Sequence, residues 1–219
     1  MTSIQPRAAF VGAVEAVCAP LAVATSLRKR ALDVIASALA LLLFAPLLLL
    51  IAIAIWLEGG GPVLFRQQRT GLGGSTFQIL KFRTMSVAES GEHAKQATPG
   101  DCRVTPLGRL LRRLSIDELP QLINVLKGEM SLVGPRPHAV GHDHLWAATI
   151  VGYHDRFRAK PGLTGRAQVM GYRGVVLTAA CIEQRVAADN SYIDNWTFTG
   201  DLMLILRTVP LLFGDDAAV

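Results

Sequence analysis

Cysteine is scarce in this chain. Its three cysteines, Cys18, Cys102 and Cys181, are odd in number, widely spaced and without a C-x-x-C pair. A disulfide scaffold is excluded, and reduced thiols in a reducing compartment fit best. Aromatic residues make up only 6% of the chain and charged residues 18%. There is no G-x-G-x-x-G, no Walker loop and no D-x-D, so any nucleotide chemistry must come from other motifs. The basic residues carry no recognition-helix pattern and no aromatic stacking series, which argues against nucleic acid as a partner. Repeats and low-complexity tracts are absent as well. Disorder is excluded, because 51% of the residues are hydrophobic and burial can offset the entropy of ordering. At 219 residues the chain has room for one domain, or one domain and an appendage, with a core that needs no staples.

The hydrophobicity is concentrated. From Val34 to Leu57, 22 of 24 residues are apolar, none is charged, and only Ser37 and Pro46 interrupt the run. As one helix it would measure about 36 Å, more than the roughly 30 Å of a bilayer's hydrocarbon core. A cleavable signal peptide does not fit, since the run starts too far in and no small-residue cleavage site follows it. The stretch from Ala8 to Leu27 carries Glu15 and Pro20 and has the composition of a weak interfacial helix or a tail.

Pro46 divides the run. Proline removes one backbone donor and clashes with the preceding turn, so it kinks or breaks a helix. Each half has about 12 residues, or roughly 18 Å, enough to reach the bilayer middle. Two topologies are open: a kinked span, or a re-entrant hairpin with both ends on one face. Basic residues flank the run on both sides, at Arg28, Lys29 and Arg30 before it and Arg66 and Arg69 after it, so charge gives no inside–outside bias.

Beyond the run the charge is uneven. Residues 61–114 hold nine lysines and arginines against three acids, whereas residues 115–219 hold nine against eleven. A basic block next to a membrane segment attracts anionic headgroups, and phosphate-bearing substrates would use the same field.

Pro62–Arg69 and Thr76–Met85 have strand character, joined into a hairpin by the Gly71–Ser75 turn. Phe77, Ile79, Lys81 and Arg83 would then share one face. Ser86–Asp101 is a polar loop, and Leu107–Leu114 is a short helix bearing Arg109, Arg112 and Arg113. In the segment Ser115-Ile116-Asp117-Glu118-Leu119-Pro120, Ser115 and Glu118 have capping-box spacing and Pro120 suits a first helical turn. Two acids thus fall at a helix start, where free N–H groups favour carboxylates. They either cap that helix or, beside the upstream arginines, supply an ionised carboxylate that attacks phosphorus or holds Mg²⁺. Neighbours on a helix point about 100° apart, so Asp117 and Glu118 should do different work. Arg136 stands between Pro135 and Pro137, a rigid turn that would preset a guanidinium fork for phosphate. Lys160-Pro161-Gly162-Leu163-Thr164-Gly165 repeats that combination of cation and stiff turn. His138, His142 and His144 have metal-like spacing but are assigned as surface or headgroup-level histidines.

Lys81-Phe82-Arg83-Thr84-Met85, Asp117 to Leu122, Ser131 to Pro137 and Lys160 to Gly165, in that order, resemble the bacterial sugar transferase family. Its members are monotopic polyprenyl-phosphate phosphoglycosyl transferases that start exopolysaccharide and O-antigen assembly. The resemblance covers about residues 28–213. The tail, with Gln168, Gly171, Tyr172, Arg173, Gly174, Tyr192, Trp196, Asp201 and Thr208, is most similar to the hexose-1-phosphate branch using UDP-glucose or UDP-galactose. Phe157 and Arg166 stand where that pattern often has His and Trp. The chain resembles the short form that lacks a multi-span N-terminal extension.

The resemblance implies an α+β, mainly helical fold. Residues 1–27 would be a tail or a weak interfacial helix, residues 28–58 a re-entrant membrane helix broken at Pro46, and residues 59–219 a catalytic domain with a small β-hairpin and interfacial helices, including Asp201–Phe213. The active site would lie on the cytoplasmic face of the bacterial inner membrane. Asp117 would be the nucleophile and a Mg²⁺ ligand, and Glu118 the second carboxylate. Arg136 would clamp phosphate, assisted by Lys81, Arg83 and Arg112. The implied partners are a UDP-sugar, undecaprenyl phosphate, membrane lipid and a second copy of the chain. Two other readings differ in kind: a membrane-anchored basic module that binds lipid or a partner without turnover, and a metal-dependent phosphodiesterase that needs no lipid acceptor. The Asp117–Glu118 pair argues against the first.

Overall fold

A computed structural model describes residues 21–86, 100–172, 174 and 178–214. Most of the Ala8–Leu27 stretch, most of the Ser86–Asp101 loop, and Arg173 lie outside the described residues. The fold is α+β and mainly helical. A short helix α1 (Ala22–Thr25) precedes the long apolar helix α2 (Leu27–Gly59). Ser26 caps α2 by accepting from the Lys29 amide at 3.3 Å, and Gly60 ends it in the left-handed conformation that glycine adopts freely.

At 33 residues α2 is about 50 Å of helix, and it is the one helix among the described residues long and apolar enough to cross a membrane. The break expected at Pro46 is not seen: α2 remains helical through it, since a proline in a long helix costs one hydrogen bond without ending the run. Its middle is stripped of protein contact: Leu42, Leu43 and Leu50 are 75%, 74% and 65% exposed. A run of large aliphatic side chains left this bare in one stretch is a surface of the kind that meets a membrane or another protein.

Both ends of α2, by contrast, dock on the same folded body. Near its start, Lys29 and Asp33 are buried, and Arg30 donates to Val125 O at 2.6 Å and Leu126 O at 2.7 Å. Near its end, Ile51 and Ile55 pack with Phe82 and Leu111, while Glu58 accepts from the Leu107 amide at 3.2 Å.

The hairpin forms as its alternation predicts. Strands β1 (Leu64–Thr70) and β2 (Thr76–Phe82) pair antiparallel, with Leu64 opposite Phe82 and Thr70 opposite Thr76. Gly73 and Gly74 in the turn have φ of 62° and 76°, which only glycine takes without strain. Next comes α3 (Pro106–Arg113), with Pro106 at its first position and Thr105 capping it by accepting from the Gly108 amide at 2.9 Å. A 3-10 turn (Ile116–Glu118) leads into α4 (Gln121–Lys127).

Here the expected capping box fails. Ser115 sits at φ 55° with no side-chain cap bond, and α4 begins at Gln121 with Pro120 at its cap position. The reason is electrostatic: two cations draw Glu118 away from the backbone, as described below. Asn124 on α4 is wholly buried and joins α4 to β2, accepting from the Leu80 amide at 3.0 Å and donating to Gln78 O at 2.7 Å.

Strand β3 (Ser131–Val133) pairs in parallel with β4 (Gly162–Thr164). Between them lie α5 (Val140–Ala147) and a 3-10 stretch (Tyr153–Arg158). The chain closes with α6 (Arg166–Val169), α7 (Ala179–Asp194) and α8 (Phe198–Gly214). On α8, Met203, Leu206 and Val209 are exposed. Phe157 is buried in a core with Ile150, Tyr153, Ile182 and Val186.

Candidate active site

Asp117 and Glu118 occupy the tight turn ahead of α4, each only 8% exposed. Lys81 reaches Glu118 from β2, placing Nζ 2.8 Å from Oε1. Arg136 reaches it from the loop after β3 with a two-pronged fork: Nη2 donates to Oε1 at 2.7 Å and Nη1 to Oε2 at 3.2 Å. Bidentate pairing of this kind is strong and directional. Asp117 receives none of these three bonds.

Two adjacent carboxyls therefore live in opposite electrostatic states. Burial opposes ionisation of Glu118, but Arg136 and Lys81 overcome it and hold the group well below the usual carboxylate range. Burial pushes Asp117 the other way, up to about 6; the charge of Lys81 offsets part of this, and ionised Glu118 adds to it. Glu118 is thus a fixed anion that anchors two cations. Asp117 is a buried carboxyl whose pKa, about 6, lies well above the usual carboxylate range, a perturbation of the kind found at functional sites.

Arg112 adjoins the pair. Its Nε donates to Thr84 Oγ1 at 2.9 Å, and the charge of Asp117 acts on it, although burial dominates and lowers its pKa. Lys81, Arg112 and Arg136 are therefore brought together around the two acids. Arg83 is not in that group: its Nη2 lies 3.4 Å from Ile55 O, beside Gly59 and Gly61 at the end of α2. Strand alternation put Arg83 and Lys81 on one face; β2 ends at Phe82, although the Arg83 amide still donates to Val63 O at 2.9 Å, and the Arg83 guanidinium reaches the end of α2 rather than the acids.

The motif Gly134–Pro137 and the motif Lys160–Gly165, separate in sequence, form one backbone unit. Gly134 N donates to Thr164 O and Gly162 N to Pro135 O, both at 2.9 Å. The strands approach so closely that a Cβ on Gly134 would collide with the Lys160 carbonyl, and one on Gly165 with the Gly134 carbonyl. Glycine is required at both positions because backbone, not a movable side chain, fills the space. Gly134→Ala should cost about 1–3 kcal/mol through forced displacement. Thermal unfolding in detergent checks this, with Gly174→Ala, where no atom lies within 4 Å of the added Cβ, as the silent control.

His138 is not the surface histidine expected. It is 7% exposed, ringed by Tyr153, Arg156 and Arg185, and burial among those arginines keeps it neutral. Among the described residues no three His, Cys, Asp or Glu side chains gather as a metal cluster. Asn124, Arg156 and Asp189 escaped the sequence reading. Each lies at a helical position whose neighbours gave no periodic signal that a polar group turns inward.

The bacterial sugar transferase family model matches residues 24–215, the stretch that holds every element above except the start of α1. The chain belongs to the bacterial sugar transferase family. That membership makes it an enzyme of the sugar-phosphate transferase class. It is 59% identical over 196 residues to a UDP-glucose:undecaprenyl-phosphate glucose-1-phosphate transferase of Caulobacter vibrioides, covering 90% of this chain and 73% of that one. Identity is 47% over 199 residues to the protein of the same name from Escherichia coli, covering 91% of this chain and 43% of the other. The exopolysaccharide production protein ExoY of Rhizobium meliloti is 40% identical over 199 residues, with 83% of this chain and 84% of that one covered. The chain thus spans less than half of the Escherichia coli relative.

Proposed function

We propose that this transferase moves hexose-1-phosphate from a UDP-sugar to undecaprenyl phosphate, giving undecaprenyl diphosphate sugar and UMP at the start of exopolysaccharide assembly. The names of relatives from Caulobacter and Escherichia coli favour glucose as the sugar. The observation that carries the reading is the split pair: a buried Asp117 with a pKa of about 6 beside a Glu118 locked to Lys81 and Arg136.

In the first half-reaction an Asp117 oxygen attacks the β-phosphorus of the UDP-sugar. The bond from that phosphorus to the bridging oxygen breaks, UMP leaves with the electron pair, and an aspartyl phosphosugar remains. In the second, a phosphate oxygen of undecaprenyl phosphate attacks the same phosphorus and expels the Asp117 carboxylate. Arg136 and Lys81 stabilise the charge gathering on the phosphoryl oxygens, and Glu118 holds them in place.

The donor set also suits Mg²⁺. Both Glu118 oxygens are bonded by Lys81 and Arg136, so Asp117 is the carboxylate left to an ion that takes one or two carboxylates and completes its shell with substrate phosphates and water. Asp117, with Glu118 adjacent, would hold it. Bound there, it would offset the charge of two approaching phosphates.

The docking of both ends of α2 on one body supports a re-entrant helix, because a spanning helix would carry its ends to opposite sides. The catalytic domain then sits on one face, which we assign as the cytoplasmic face of the inner membrane, where UDP-sugars reside. Pro46→Leu, which restores a backbone donor, should favour a full span. Single cysteines placed near either end of α2 check this by labelling from each side; unchanged one-sided labelling would remove Pro46 as the determinant.

The functional reading is tested by UMP release from detergent-solubilised protein with Mg²⁺ and UDP-glucose, with and without undecaprenyl phosphate. Multiple turnover should require the lipid, and omitting it should trap a phosphosugar on Asp117. Lipid-independent release of free sugar phosphate would instead establish a phosphodiesterase.

A further inference from the structure

The loop that presents Arg136 is held carbonyl by carbonyl. Pro135 O accepts from Gly162 N at 2.9 Å, Arg136 O from Arg156 Nη2 at 2.7 Å, and Pro137 O from Arg69 Nη1 at 3.3 Å. The two prolines have no N–H, so this loop relies on its carbonyls for anchorage. Arg156 is the member with the most at stake. It is 3% exposed, and three of its other four donors are engaged: Nε by Asp189 Oδ2 at 2.9 Å, Nη1 by His138 Nδ1 at 2.9 Å and Tyr153 OH at 3.1 Å. Asp189, 1% exposed on α7, pairs with Arg156 in full burial. Of the other charged groups close to Arg156, Asp143 accepts from Tyr153 OH at 2.6 Å through Oδ1 while its Oδ2 has no hydrogen-bond partner among the described residues, and Arg185 donates from Nη2 to Gly174 O at 2.9 Å while its Nε has none there.

We propose that Arg156, held by Asp189, is a positioning residue for catalysis: it grips the Arg136 carbonyl and so aims the guanidinium that meets Glu118 and the substrate phosphate. This rests on the phosphate-clamp role assigned to Arg136. The rigid guanidinium matters, because one planar head bonds Asp189, His138, Tyr153 and the Arg136 carbonyl simultaneously. A lysine at position 156 has a single ammonium and cannot serve the carboxylate and the distant carbonyl together. The neutrality of His138 belongs to the same device, since a third cation between Arg156 and Arg185 would push the assembly apart.

Arg156→Lys should lower kcat/KM for UDP-glucose about 10–100-fold, the scale of a small misplacement of a catalytic group. The decisive measurement is a double-mutant cycle with Arg136→Ala. If Arg156 acts through Arg136, the double variant is no slower than Arg136→Ala alone; multiplied losses would overturn the proposal. Hydrogen exchange at the Gly134, Arg136 and His138 amides should quicken in Arg156→Lys while exchange in α3 stays unchanged. Unchanged loop exchange together with wild-type turnover would equally overturn it. Asp189→Asn, which keeps shape and removes the countercharge, carries the same cycle should Arg156→Lys fail to fold. Absence of turnover in the wild-type protein would defeat the functional reading alone, and the exchange comparison would still decide whether Arg156 fixes the loop.

Discussion

Asp117→Asn should abolish turnover, by about 10⁴-fold or more, and at the same time raise stability above pH 6. The loss follows because a carboxamide cannot form the acyl phosphate, and the electrostatic stabilisation left behind has no covalent step to assist. The gain follows from linkage. Burial raises the pKa of Asp117 from 3.8 to about 6, so its ionised form is disfavoured in the folded protein. A group raised in this way favours folding below its unfolded pKa, and that contribution is lost as pH rises through the folded value. The ionised carboxylate therefore costs the folded state stability above pH 6, on the order of 3 kcal/mol. Removing it should lift Tm at pH 8 and leave Tm nearly unchanged at pH 4. In the wild type, kcat/KM should climb with pH through about 6 and level off above it, since attack requires the ionised form. A variant that turns over normally would remove Asp117 from the nucleophile role. A variant less stable than wild type at pH 8 would mean that the carboxylate is better solvated than its burial indicates.

Lys29→Met should produce the largest loss of stability, about 3–5 kcal/mol, the scale for breaking a buried ion pair from one side. Lys29 lies at the start of α2 with its ammonium 2.7 Å from Asp201 Oδ2 on α8, 2.8 Å from Val133 O and 3.1 Å from Tyr192 OH. The Lys29 and Asp201 side chains are 6% and 0% exposed. Without Lys29, Asp201 keeps its bonds from Tyr192 OH at 2.8 Å and Trp196 Nε1 at 3.0 Å but is left as a buried anion with no countercharge. The same side chain ties α2 to β3, and Asp33 completes the tie by accepting from Ser131 Oγ at 3.0 Å and the Leu132 amide at 2.9 Å. Thermal unfolding in detergent measures the loss. The double variant Lys29→Met, Asp201→Leu should recover part of it, because no charge is then stranded; no recovery would mean that the backbone bond to Val133 carries the effect.

The sequence by itself determined the elements and motifs whose signals are local. The apolar run of α2, the alternation and glycine turn of the hairpin, and the Thr-Pro start of α3 depend on neighbours within a few residues. They fold where propensity places them. The family was also legible, because its motifs are contiguous strings. What only the tertiary structure decided was how those strings meet. Arg83 follows Lys81 at strand spacing yet leaves the site, because the end of α2, distant in sequence, offers its guanidinium the Ile55 carbonyl. Glu118 has the spacing of a capping residue yet abandons the cap, because Arg136 arrives from 18 residues away with two charged donors and outbids the backbone. Lys29 and Asp33, next to a membrane run, look like flanking charges that water would cover. They are instead buried in the joint between α2, β3 and α8. Each of these outcomes turns on charge, and a charge in a protein is placed by partners distant in sequence, because the desolvation it suffers on burial can be offset only where an opposite charge or a set of donors is brought to it.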